Sequence, residues 1–382
     1  MNFDFELRTR VRFGAGMVRH LGEEAVKLGV ERWLVVIDPS LVSLGVDTKI
    51  LGILHESGLV GTLFTDVDGE PDDNHVRVGV QRFSENDCGG VVAVGGGSAI
   101  DAGKVIALMA NNPEPIAQYE NADQPRAPRV KLIAVPTTAG TGAEITLAAG
   151  IIDRDSRRKL VLVHSENAPD LSIDDPELTY SLPNSITAHT GFDALTHALE
   201  SFVSNNSNPV SDAMALKAIE LIGASLFDAW RDGKNYSARE NVMLGQLLAG
   251  MAVTNTGVAL VHAMGRPLGV YFSIPHGLGN AMLLPLVTSY SLKRRQEKYR
   301  TVARLLPGDG TSGDDDIVSK LESLSASMEI PTIPTLDLDL DRFLSLVPQM
   351  AEDCLASPSS SNNPRVPSQS DVEGLYKSLL FA

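Results

Sequence analysis

The 382-residue chain reads as a two-part protein. An α/β domain with a mainly parallel sheet is expected over residues 1–180, and an all-helical domain over 181–382. Two observations predict this. In the first half, short apolar runs alternate with stretches of helical periodicity, which is the pattern of βαβ units. Beyond about residue 180 the helical period continues to about 300 with little strand signal.

In order along the chain, "WLVVI" (33–37) predicts a buried strand, and a helical pattern follows through roughly 41–57. A second helical stretch near 73–86 leads into "GVVAV" (90–94), another strand. "SAIDAGKVIALMA" (98–110) places apolar residues at helical spacing, and "KLIAVP" (131–136) is strand-like again. "SLPNSITAHTGFDALTHALESFVS" opens the helical half. Near the end, "SPSSSNNPRVPSQSD" (357–371) is a loop by composition, ahead of a short terminal helix.

Composition narrows the function classes. With 43% hydrophobic and 21% charged residues the chain can build an ordinary globular core. A formal net charge of −16 argues against nucleic acid or an anionic membrane as partner. Cys88 and Cys354 stand far apart, which argues against a disulfide framework or a thiolate zinc site. The opening "MNFDFELRTRVRF" lacks the apolar core of a signal peptide, and no apolar run reaches the length of a transmembrane helix. A cytoplasmic location is the default expectation.

The segment "VVAVGGGSAIDAGK" sets Gly95, Gly96 and Gly97 between a strand and a helix. Glycines there let the backbone approach a ligand, and the helix N-terminus offers free N–H groups to a phosphate. It is not a Walker A loop, because Val105 follows Lys104, nor G-x-G-x-x-G, because Ile100 holds the last glycine's place. A tight turn without ligand is the plain alternative. "PTTAGTGAE" (136–144) again follows a strand with hydrogen-bonding residues. Asp38 closes "VVID", where a carboxylate can take both ribose hydroxyls of adenosine and repel a 2′-phosphate. The combination favours NAD over NADP.

In "TAHTGFDALTHALES", Asp193 and His197 are four apart on a helical segment and share a face, with His189 one turn earlier. Alone, the pair is as well explained by a simple hydrogen bond. His262 and His276, in "VHAMGRPLGVYFSIPHG", extend it to one carboxylate and three imidazoles. Such a set suits Fe²⁺ or Zn²⁺ without choosing between them.

"GGGSAIDAGK", "PTTAGTGAE", "GFDALTHALES" and "VHAMGRPLGVYFSIPHG", in this order and spacing, resemble the signatures of the iron-containing (group III) alcohol dehydrogenases. "DPELTYSLP" (175–183) and "NNPR" (362–365) extend the resemblance over nearly the whole chain. It implies a Rossmann-like dinucleotide-binding domain, a helical domain, and a metal in the cleft between them. The implied ligands are Asp193, His197, His262 and His276; His189 matches none. The implied cofactor positions are Asp38 at the adenosine ribose, Gly96, Gly97 and Ser98 at the pyrophosphate, and Thr137, Thr138 and Thr141 beside them. Asn74 and Lys159 also match cofactor positions. A homodimer or larger homo-oligomer is implied too.

Arg266 departs from the pattern, since family members commonly carry a histidine four residues after the third ligand. Ala143, where many members have serine, is a smaller change. Arginine stays protonated, so it cannot shuttle a proton, but it can bind a substrate anion through paired hydrogen bonds. A salt bridge elsewhere is the plain alternative. The expected chemistry is metal-dependent, reversible hydride transfer between NAD and a small primary alcohol or aldehyde, with an anionic substituent left open. A maleylacetate reductase-like reduction of an anionic oxo acid is the nearest rival. A dehydroquinate synthase-like enzyme and a non-catalytic nucleotide- and metal-binding protein are further ones.

Overall fold

The computed structural model describes residues 2–120, 125–156, 158–308 and 316–381. The chain divides into two compact units: Leu7–Thr138 with Gly142–Tyr180, and Met1–Glu6, Ala139–Thr141 and Ser181–Ala382. The first part is α/β and the second helical, which is the expected fold class. Two short N-terminal and linker segments group with the helical unit.

The α/β unit contains the strands β1 (Arg10–Phe13), β2 (Arg32–Ile37), β3 (Val60–Phe64), β4 (Gly90–Gly95), β5 (Lys131–Pro136), β6 (Ala148–Asp153), β7 (Arg158–Val163) and β8 (Leu171–Asp174). Its helices are α1 (Leu21–Lys27), α2 (Pro39–Val42), α3 (Val46–Glu56), α4 (Asp73–Glu85) and α5 (Gly97–Met109). Six strands form one sheet in the order β1-β8-β5-β4-β2-β3, every neighbouring pair parallel. The central strands are buried on both faces and read as continuous apolar runs, as parallel strands must. Alternate residues serve opposite cores: Leu34 and Val36 pack with α4 and α5 residues such as Val76, Phe83 and Ile106. Val35 and Ile37 pack with Leu21, Ile50 and Leu54 of α1 and α3.

The single helical stretch expected at 41–57 is two helices, because the chain turns at Gly45 (φ 73°). β1, β3 and β8 were not anticipated; each is short, and the two edge strands are only partly buried, which dilutes the apolar signal. Nor was the antiparallel hairpin β6–β7. It is pinned to α5: Asp101 accepts from Gly150 N at 2.9 Å, and Lys104 Nζ donates to the carbonyls of Thr146 and Ala148 at 2.9 and 2.8 Å.

The helical unit contains α6 (Asn184–Val203), α7 (Pro209–Arg231), α8 (Tyr236–Thr256), α9 (Leu260–Phe272), α10 (His276–Ser291), α11 (Gln296–Leu305), α12 (Ile317–Ser327), α13 (Leu340–Ala356) and α14 (Gln369–Ser378). α6 is buried nearly all round from Gly191 to Val203, the signature of a helix at the centre of its unit. The loop-like 357–371 segment contains one 3₁₀ turn, Pro358–Asn362, and α14 begins at its end. No single described helix is long and apolar enough to cross a membrane. Cys88 and Cys354 are both buried and free.

Candidate active site

Three helices of the helical unit bring the predicted ligands together. α6 carries Asp193 and His197 one turn apart, both buried. α9 carries His262 in its first turn, after a bend of 101° from α8. His276 is the first residue of α10, with Pro275 as N-cap. Gly277 fixes how closely α10 approaches α6, since a Cβ there would stand 2.3 Å from the His189 carbonyl oxygen. His189 thus contributes backbone, and its side chain is no part of the cluster.

Asp193, His262 and His276 each offer one ligand atom, and these atoms lie within 4.8 Å of one another. Asp193 Oδ1 is 3.4 Å from His262 Nε2 and 3.7 Å from His276 Nε2. His197 stands outside this trio and stacks on His262, with ring centroids 4.4 Å apart. His197 Nδ1 and His262 Nε2 are buried without a hydrogen-bond partner. An unsatisfied buried polar atom costs about 1–3 kcal/mol, so His262 Nε2, 3.4 Å from the Asp193 carboxylate, fits a cation beside it.

The electrostatics agree. Burial alone would push the Asp193 carboxyl up, but the imidazoles of His197, His276 and His262 outweigh it and hold it below the usual carboxylate range. Burial opposes charge on His262, yet Glu200 and Asp193 overcome this and raise it to about 9. A cation at this point competes with that proton. The donor set, one carboxylate and imidazoles without thiolate, suits a divalent first-row metal.

Two residues of this centre escaped the sequence reading. Glu200, also buried on α6, accepts from His262 Nδ1 at 2.8 Å. Asn280, one turn after His276, donates to Asp193 Oδ1 at 2.7 Å and lies 3.2 Å from His276 Nε2. Their positions on the ligands' own helical faces were the available signal: Glu200 follows His197 by three residues and Asn280 follows His276 by four.

Arg266 lies one turn beyond His262 on α9, half-buried, and its Nη1 donates to Ser357 Oγ at 2.9 Å. It forms no direct ion pair with a carboxylate of the described residues, but the charge of Glu200 acts on it.

In the α/β unit, Asp38, the glycine turn and Thr137–Thr138 lie at the C-terminal ends of the adjacent strands β2, β4 and β5. Gly95 adopts φ 150°, and a Cβ there would meet Ala99 Cβ at 2.7 Å and Asp38 Cβ at 3.2 Å; only glycine fits. Thr137 N donates to Gly95 O at 3.0 Å, and Gly96 lies against Thr138. Gly96 caps α5, and Gly97 and Ser98 open it with no acidic residue in the first turn. This is the crevice outside the carboxyl ends of parallel strands where open α/β sheets take nucleotides. Asp38 currently accepts from Ser40 N and Oγ at 2.9 and 2.6 Å. Asn74 bonds Arg77, and Lys159 Nζ reaches Glu70 Oε2 at 2.5 Å. Lys159 rides on the hairpin that α5 holds. Thr141 groups with the helical unit.

Two family models match the chain: "Iron-containing alcohol dehydrogenase" over residues 8–176, and "Fe-containing alcohol dehydrogenase family, C-terminal" over 187–380. The chain belongs to the iron-containing alcohol dehydrogenase family. This dehydrogenase is 35% identical to the 1,3-propanediol dehydrogenase of Klebsiella pneumoniae, over 98% of each chain. The structure of a 1,3-propanediol oxidoreductase superposes with a TM-score of 0.94 at 35% identity, covering 99% of this chain and all of that one. Sulfoacetaldehyde reductase from Bifidobacterium kashiwanohense, solved in complex with NAD⁺, superposes at 0.89 with 29% identity over 99% of both chains. As a member of this family the protein is an oxidoreductase of alcohols and aldehydes, and membership implies a metal and a nicotinamide dinucleotide.

Proposed function

We propose that the protein is a metal-dependent, NAD-linked dehydrogenase that interconverts a small primary alcohol and its aldehyde. The observation that carries this is the meeting of Asp193, His262 and His276 from three helices, with one ligand atom of each within 4.8 Å of the others. Asp193, His197, His262 and His276 would hold the metal, Fe²⁺ first and Zn²⁺ second, in the set that imidazole and carboxylate favour. When bound, the metal supplies Lewis-acid stabilisation of charge on the substrate oxygen, and the nicotinamide supplies the hydride.

The chain's own residues do the rest. The N–H groups of Gly97 and Ser98 at the start of α5 would receive the pyrophosphate, with Gly96, Thr137 and Thr138 of the same unit beside it, and Thr141 is a further cofactor contact. Asp38 accepts the adenosine ribose hydroxyls and repels a 2′-phosphate, which selects NAD over NADP. Asn74 and Lys159 complete the cofactor contacts. Arg266 keeps its proton, so it holds rather than relays; its guanidinium, bonded to Ser357 and in no direct ion pair among the described residues, suits an anionic group on the substrate. The sulfoacetaldehyde reductase, whose name gives an anionic aldehyde, supports that option.

The test is NADH oxidation by chelator-stripped protein against neutral and anionic aldehydes, before and after anaerobic addition of Fe²⁺ or Zn²⁺. Activity that returns only with metal is the expected result, with anionic aldehydes preferred. Equal activity without metal would move the protein to the maleylacetate reductase-like reading.

A further inference from the structure

We propose that Glu200 is the positioning residue of the metal centre: one carboxylate that caps α9 and locks His262 in its metal-binding tautomer. The inference rests on the ligand assignment above.

Glu200 is buried and makes no direct ion pair with a Lys or Arg of the described residues, although the Arg266 charge acts on it. A buried carboxylate is costly unless hydrogen-bonded, so its direct partners define what it is for. It has three. Ala259 N donates to Oε2 and Val261 N to Oε1, each at 2.6 Å, and His262 Nδ1 lies 2.8 Å from Oε2.

The two amides belong to the start of α9. That helix has Ala259 as its N-cap and no side-chain cap of its own. Its orphan N–H groups and positive dipole end therefore rest on a carboxylate supplied by another helix. α6 is the right supplier, because Asp193, His197 and Glu200 fall at i, i+4 and i+7 on one face.

The third bond fixes chemistry. With Nδ1–H donated to Glu200, the nitrogen left to a metal once its proton is displaced is Nε2, the atom 3.4 Å from Asp193 Oδ1. Between that nitrogen and the carboxylate either a proton or a cation must stand. Carboxylates that orient ligating histidines this way typically change metal affinity 10–100-fold when removed.

Glu200→Gln separates tautomer control from space-filling. The glutamine keeps the size of the side chain but removes the charge behind Nδ1, and its NH₂ must face either Nδ1 together with Ala259 N or the Val261 N–H. Zinc retention is measured by chelator competition, and cobalt(II) binding by its visible absorption, with His262→Ala as control. We expect Glu200→Gln to weaken zinc binding about 10–100-fold and alter the cobalt spectrum. NAD binding should stay near wild type, and the metal-free melting temperature should fall only modestly, because one α9 amide loses its acceptor.

If His262→Ala loses zinc while Glu200→Gln binds it like wild type, the Glu200 assignment is overturned and the ligand assignment stands. If His262→Ala retains zinc, the ligand assignment itself falls. Should the glutamine variant not fold, zinc-loaded wild-type protein labelled with ¹⁵N-histidine decides. A protected Nδ1–H resonance that is missing in His262→Ala supports the proposal, and its absence from wild type overturns it.

Discussion

A Cβ on Gly265 would stand 2.3 Å from Asn280 Oδ1, so α9 and α10 meet where only a hydrogen fits. The same Asn280 donates to Asp193 Oδ1 at 2.7 Å and lies 3.2 Å from His276 Nε2. Its amide joins two ligand atoms, and Gly265 sets where that amide can be. Alanine is ordinarily better than glycine inside a helix by about 1 kcal/mol. Here we expect Gly265→Ala to rotate Asn280 off Asp193 and destabilise the protein by about 1–2 kcal/mol net. Metal content after gel filtration should fall with it. A variant that is more stable and fully loaded would show that the contact does not constrain the site.

His197 offers a sharper division. It stacks on His262 rather than joining the three converging ligand atoms, yet its Nδ1 is buried without a partner. If it closes the coordination sphere on loading, His197→Ala should lower metal affinity by at least tenfold. Chelator competition against wild type measures this. Unchanged affinity would leave a three-residue centre and assign His197 to packing.

Asp38 tests the cofactor side. Its carboxylate stands at the end of β2 beside the glycine turn, half-exposed and tied only to Ser40. Asp38→Gly removes a negative charge from the expected ribose position while leaving the sheet in place. We expect the NAD to NADP ratio of kcat/KM to fall about tenfold or more, about 1.4 kcal/mol of lost discrimination. An unchanged ratio would take Asp38 away from the ribose.

How far the sequence was legible depended on where the physical signal is local. β2, β4 and β5 are buried on both faces, so their apolar runs stood out; β1 and β3 are edges with polar residues and did not. Asp193 and His197 share a helical turn, and a fixed spacing revealed them. Glu200 touches His262 across 62 positions and Asn280 touches Asp193 across 87, and no local period encodes such contacts. Arg266 was conspicuous as a residue type, but its engagement with Ser357, 91 positions away, needed coordinates.

Asp170 carries a prediction about acid stability. It accepts from Arg129 Nη1 at 2.6 Å, Leu132 N at 2.9 Å and Lys131 Nζ at 3.2 Å, tying the start of β8 to β5. Burial would push its carboxyl up, but the Arg129 charge and these hydrogen bonds hold it below the ordinary value. A carboxylate lowered in the folded state stabilises the fold above the unfolded-state pKa, about 3.9, and loses that contribution as pH falls further. Asp170→Asn should therefore cost about 1–2 kcal/mol at pH 7, allowing for its partial exposure. The gap between variant and wild type should narrow below about pH 4, where the wild-type carboxylate takes up its proton. Urea unfolding at pH 7 and at about pH 3.5 would measure both values, and a gap that does not change with pH would mean the bonds act through shape rather than charge.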